Sequence, residues 1–163
     1  MNRYLLLLFL LIVFPFSTVK SQGPERGTVL PISAQNAADL EFGLNGSGYL
    51  TVNYDHMFFL KPQRFGPAML VRAGIGDGLS PGYGMTMLIE AAYTTGYITF
   101  AELGAGYNGQ SYARHWQHLP YFLAAFRYRA NTGVSFRLYS RLSLKQSGQV
   151  PMFGMGLSAG FTF

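Results

Sequence analysis

The chain's acid–base chemistry near neutral pH rests on three histidines, His56, His115 and His118, and it has no cysteine to serve as nucleophile or metal ligand. His115 and His118 flank Trp116-Gln117, with Ser111, Tyr112 and Arg114 just upstream. A histidine general base and a serine nucleophile are the minimum for ester hydrolysis. His115, His118 and Ser111 are therefore the catalytic candidates, and a lipid ester would be their substrate. The stretch lacks what a hydrolase needs next: no Asp or Glu lies in it to orient an imidazole, and no recognisable motif surrounds the serine. As a metal site, two imidazoles without a nearby carboxylate make an incomplete shell. The plainer reading is that Tyr112, Trp116 and Tyr121, with the histidines, form an aromatic belt at a membrane headgroup level or a partner surface. His56 reads as an interfacial ring near a strand end. Gly74-Ile75-Gly76-Asp77-Gly78 lacks the lysine and the helix of a phosphate loop. Arg64 and Arg114 read as ordinary interfacial arginines. The expectation is a non-enzyme with no metal and no cofactor.

The frame that positions these residues is a period-two alternation, the mark of strands with one apolar and one polar face. Leu40, Phe42 and Leu44 oppose Glu41, Gly43 and Asn45; Leu50, Val52, Tyr54 and Phe58 oppose Thr51, Asn53 and Asp55. Met69 to Ile75 oppose Arg72, Gly74 and Gly76, and Met85 to Tyr93 oppose Thr86 and Glu90. Tyr97 and Ala101 to Tyr107 oppose Glu102, Gly104 and Gly106, and Phe122 to Tyr128 oppose Arg127 and Arg129. Val134 to Leu144 oppose Ser135, Arg137 and Arg141, and Phe153 to Phe163 oppose a run of Gly, Ser and Thr.

Either face could be the core. A solvated polar face normally mixes Lys with Glu; this one is Gly, Ser, Thr and Asn with isolated Arg and Glu, and almost no lysine. Small residues with opposite charges suit a narrow packed lumen, which predicts a transmembrane antiparallel up-and-down β-barrel with its apolar face outward. Only 12% of residues are charged, about half the share of an ordinary soluble domain. Such a barrel needs an even strand count. The stretch 40–58 is either one bent strand or a hairpin; a three-residue turn at Gly46-Ser47-Gly48 pairs Leu44 with Leu50 and makes eight strands. Thr28 to Ser33 is a weak further candidate, broken by Pro31. Thr94-Thr95-Gly96 and Asn131-Thr132 then become short periplasmic turns. Asp77–Tyr83, Asn108–Leu119 and Lys145–Val150 become longer outer loops, and both termini lie in the periplasm.

Residues 1–21 read as a cleaved signal peptide: Arg3, an apolar run from Leu5 to Phe14, and Val19-Lys20-Ser21 before the cut. The run is too short to span a bilayer as a helix. Residues 22–35 follow as an N-terminal periplasmic segment, and 36–163 as the barrel. Losing Arg3 and Lys20 lowers the formal charge from +5 to +3, too mild and too scattered for nucleic acid.

Alternation sends Arg72, Arg127, Arg129, Arg137 and Arg141 inward together with Glu41, Asp55, Glu90 and Glu102. Isolated buried charges cost several kcal/mol each, so these nine should pair into an interior network. An eight-strand barrel is only wide enough for side chains to fill, which makes a polar plug the expectation and a conduit the alternative.

The segments NGSGYLTVNYD, VRAGIG, AELGAGYN, FRYR, FRLYSRLSL and FGMGLSAGFTF, in that order, resemble small single-domain outer-membrane barrels of Bacteroidetes-type bacteria. The resemblance spans 36–163. It implies an integral outer-membrane protein in contact with membrane lipid and lipopolysaccharide, and with other outer-membrane proteins, and it brings no catalytic residue. The functional expectation is a plugged scaffold or accessory subunit of an envelope complex. A lipid A deacylase-like hydrolase and a small pore are the alternatives.

Overall fold

The computed structural model describes residues 35–45, 47–60, 67–96, 98–130, 132–144 and 151–163. The expected signal peptide over 1–21, the candidate strand Thr28–Ser33, Arg64, Tyr97 and residues 145–150 of the expected third outer loop lie outside them; of the 22–35 segment only Gln35 is described.

Eight strands follow one another: β1 (Asn36–Leu44), β2 (Gly48–Phe59), β3 (Ala68–Gly78), β4 (Tyr83–Gly96), β5 (Thr99–Tyr112), β6 (His115–Arg129), β7 (Val134–Ser143) and β8 (Met152–Thr162). Each pairs antiparallel with its sequence neighbour, and β1 closes on β8 through pairs such as Leu40 with Ala159. The barrel is closed, so no strand is left with an unpaired edge along the whole sheet. The stretch 40–58 is thus a hairpin. Its turn is Asn45–Ser47 rather than Gly46–Gly48, tied by Asn45 N–H to the Ser47 carbonyl at 3.0 Å, and Leu44 meets Gly48 instead of Leu50. The first strand gives up Asn45 to the turn and the second gains Gly48, a register shift of two residues that keeps every side chain on its expected face.

Two turn assignments change. Thr94 and Thr95 belong to β4, which runs to Gly96, so the connection falls between Gly96 and Thr99. Asn108–Leu119 is not a long loop: β5 and β6 continue through it and close at Ala113-Arg114. Both residues have positive φ, 46° and 70°, as a type I′ turn requires. Neither is Gly, Asn or Asp, so the turn carries no compositional signal. With that loop gone, the connection over 60–67 at the rim bearing the termini matches 144–151 at the opposite, distal rim. Loop length no longer distinguishes the rims.

The alternation holds along all eight strands, and it is inside out. Among the described residues 22 buried side chains are polar or charged against 13 apolar ones, the reverse of a water-facing fold. Leu103, Phe126, Ile89 and Leu138 are more than 60% exposed, as part of an apolar coat over every strand. The lumen is stratified. Met57, Ala68, Leu70, Ala92 and Phe100 fill the end nearest the termini. Charged residues follow, then Tyr49, Tyr121 and Tyr139, then Asn45, Ser47, Asn108, Gln110 and Ser143 toward the distal rim.

Candidate functional site

The charged layer is one closed cycle. Arg72 Nε lies 3.5 Å from Asp55, which also binds Arg127; Arg127 Nε reaches Glu102 at 2.5 Å, and Arg137 Nε reaches the other Glu102 oxygen at 2.7 Å. Arg137 then binds Glu90, whose second oxygen is 3.4 Å from Arg141 Nη2; the same Arg141 nitrogen is 3.0 Å from Glu41, and Glu41 returns to Arg72 at 3.1 Å. Four guanidinium groups and four carboxylates alternate around the lumen, and seven of the eight strands contribute to the charged layer. The guanidinium fork makes this possible, because its donors point in several directions in one plane.

Alternation foresaw all eight members. It missed Asp39, which pairs with Arg72 and accepts from Asn53 Nδ2 at 3.0 Å. Asp39 lies two residues before Glu41 and so shares its face; extending the pattern back to Asn36 finds it. With Asp39 included, five acids face five arginines in the buried set. Arg129 is the arginine outside the cycle, nearer the terminal rim, with its guanidinium 5.8 Å from the Phe100 ring centroid.

Three tyrosines cap the cycle on the distal side. Tyr121 donates to Glu90 at 3.1 Å and Tyr139 to Glu41 at 2.8 Å, while Tyr49 lies within hydrogen-bond reach of both Glu41 and Tyr139. Arg141 is held among them, 4.2 Å from the Tyr139 ring centroid and 4.6 Å from that of Tyr121. This corrects the belt assignment for Tyr121: it is 2% exposed, because its parity with Leu119 and Leu123 turns it into the lumen. Each tyrosine stands opposite a glycine on the neighbouring strand, Tyr49 with Gly43, Tyr121 with Gly106 and Tyr139 with Gly156. A Cβ on any of the three glycines would overlap the facing phenol. The lumenal glycines are the sockets that let large rings and guanidinium groups fill a narrow barrel.

The other candidates sit on the β5–β6 hairpin. Ser111 pairs with Trp116, Tyr112 with His115, and Gly109 with His118. His115 shares the lumenal face of β6 with Gln117 and Leu119, whereas Trp116 and His118 share the outer face; the two histidines do not converge. His118 Nδ1 is bonded to the Tyr107 hydroxyl, and Ser111 has Trp116 across the ladder from it. Tyr112 and Trp116 are exposed. Among the described residues no three His, Asp or Glu side chains gather as a metal shell. His56 is bonded through Nδ1 to Asn36 Oδ1 at 2.8 Å and stacks edge-on with Phe58.

No family model and no curated protein matches this sequence. Solved structures do match its shape. The N-terminal β-barrel domain of Pseudomonas aeruginosa OprF superposes with a TM-score of 0.62 at 14% identity, covering 78% of this chain and 96% of that one. The fold is that of the OprF barrel. A de novo designed protein, TMB2.3, has a TM-score of 0.46 at 17% identity, covering 80% of this chain and 94% of the design. The phycobiliprotein lyase CPES from Guillardia theta follows at 0.42 and 11% identity, covering 80% and 88%.

Proposed function

We propose that the chain is an integral outer-membrane barrel of a Bacteroidetes-type bacterium, plugged by its own charges, that serves an envelope complex as a non-enzymatic scaffold or accessory subunit. The observation that carries the membrane reading is the inversion of the barrel: an unbroken apolar coat outside and five acids with five arginines inside. An apolar patch beyond a few hundred Å² is rare on a soluble monomer, and this coat covers every strand. A closed ladder pairs the backbone internally, as a lipid environment demands.

The plug supports the scaffold part. The charge cycle and its tyrosine cap occupy the space a solute would need, and an eight-strand lumen has none to spare. The described surface hollows lie outside, among side chains such as Val52, Tyr54 and Ile75 or Phe126, Phe136 and Leu157, where lipid or a partner would contact them. A lipid hydrolase ranks behind this reading because His115 and His118 lie on opposite faces of β6.

The test is expression of the full chain with its leader in a Gram-negative host. The expected outcome is recovery in the outer-membrane fraction, slower or faster gel migration before boiling than after it, and no stable ion conductance in planar bilayers. Recovery as a soluble periplasmic protein would overturn the membrane reading, and large steady conductance would overturn the plug. Co-purification from detergent-solubilised envelopes then identifies the complex.

A further inference from the structure

We propose that the outer face of the β5–β6 hairpin is a docking site for the headgroup of a net-anionic membrane lipid, with Arg114 and His118 as its phosphate-binding groups and Trp116 as its anchor. The inference rests on the membrane reading above and deepens it. The last contact of β7 with β6 among the described residues is Leu144 N–H to the Pro120 carbonyl at 2.8 Å, so His115–Leu119 continues past it by five residues, roughly 17 Å at the usual rise per residue. On the other side the hairpin is held by β4 through Tyr83 and Tyr112. The result is a supported tongue at the distal rim.

Its outer face is built from particular contacts. Trp116, Tyr107 and His118 close around Gly109: a Cβ there would lie 3.4 Å from the Tyr107 ring and 3.5 Å from the Trp116 ring. Tyr107 takes Nδ1 of His118, which fixes the imidazole and leaves Nε2 for a ligand. Arg114 sits at the tip, exposed, and forms no ion pair with a described residue. It is held there in a turn of two non-glycine residues with positive φ. The hairpin itself contributes no Asp or Glu beyond Glu102, which is buried in the lumen, and the acid at this rim, Asp77 on β3, stands across Gly84 of β4 from Ser111. The apolar coat continues directly below through Phe122 and Leu103. A cationic tip over an aromatic platform over an acyl-chain surface matches one ligand class: a negatively charged phosphate headgroup whose tails lie against the barrel. His115, on the lumenal face, is excluded from the site.

Trp116 is the only tryptophan, so its emission reports on this platform alone. The experiment inserts the barrel in phosphatidylcholine nanodiscs with a rising share of phosphatidylglycerol. The expected result is an emission shift that saturates with that share and is suppressed by salt. Arg114→Gln should raise the half-saturating share roughly fivefold, the effect of one basic group near an anionic surface. His118→Gln should raise it too, and His115→Gln should leave it in place. An unmoved emission, an unaffected Arg114→Gln variant, or the same shift from inorganic phosphate in pure phosphatidylcholine discs would each overturn the inference alone. A barrel that does not enter the discs, seen as loss of heat-modifiable migration, would overturn the membrane reading and this inference with it.

Discussion

Glu41 and Arg141, a hundred positions apart in the chain, meet at 3.0 Å inside the barrel. Glu41 is on the first strand and Arg141 on the seventh, so the contact spans the seam where β1 closes on β8. The same Glu41 also reaches Arg72 on β3. The charge cycle therefore ties strands that share no ladder, and it is complete only when the barrel is closed.

Breaking one member should cost more than removing a pair. Glu41→Gln strands Arg141 and Arg72 with less compensation, and loss of one partner of a buried pair typically costs about 3–5 kcal/mol. Arg141→Gln should cost a similar amount. The double variant should fall short of their sum by about 1 kcal/mol or more, because the second loss removes a charge already left unpaired. Denaturant titration followed by heat-modifiable migration measures all three. Strict additivity would reject a coupled cycle.

The glycine sockets make a second, opposite kind of prediction. Gly156→Ala and Gly106→Ala each add a single methyl, yet that methyl falls on Tyr139 or Tyr121. Overpacking a filled interior costs about 1–3 kcal/mol, and here it also displaces the phenols from Glu41 and Glu90. Gly48→Ala is the control, since a Cβ there would meet its nearest neighbour at an ordinary 3.5 Å. Equal stability for all three variants in urea would rule out the socket.

The fold was legible because period-two alternation survives every local irregularity. Asp55 and Arg127 could be sent to one face from sequence, and they meet in the lumen. Which carboxylate meets which guanidinium was not legible, because that depends on register, and register depends on turns. The Asn45–Ser47 turn is off by one residue from the glycine-based expectation, and Ala113-Arg114 has no turn composition at all. The Gly–Tyr pairs were hidden for the same reason: Gly43 and Tyr49 are recognisable as partners only once the hairpin between them is known. Tyr121 is close to Trp116 in sequence, but its face is set by its parity with Leu123, which turns it into the lumen.

The apolar coat makes a third prediction. Leu103 is 66% exposed and Phe136 is 54% exposed on the outer face, on strands β5 and β7. An arginine at mid-membrane on a barrel's lipid face costs about 2–4 kcal/mol. Leu103→Arg and Phe136→Arg should therefore fail to give the heat-modifiable form in membranes, while Leu103→Ile assembles. Normal assembly of both arginine variants would place these residues in water.

The last prediction concerns which rim faces out. An even number of strands puts Asn36 and Thr162 at the same rim, and a barrel that enters the outer membrane from the periplasm keeps its two ends on that side. The rim with the termini should therefore be periplasmic, and the rim with Leu79 and the Ala113-Arg114 turn should face the medium. The chain has no cysteine, so one introduced thiol is the only reactive site. Leu79→Cys places it on the exposed β3–β4 connection, and Thr132→Cys on the exposed β6–β7 connection at the opposite rim. A membrane-impermeant maleimide should label Leu79→Cys on intact cells, and Thr132→Cys only after the outer membrane is permeabilised. The reverse pattern would turn the barrel over and put the Arg114 tip in the periplasm. Labelling of both on intact cells would mean that the barrel does not separate two compartments.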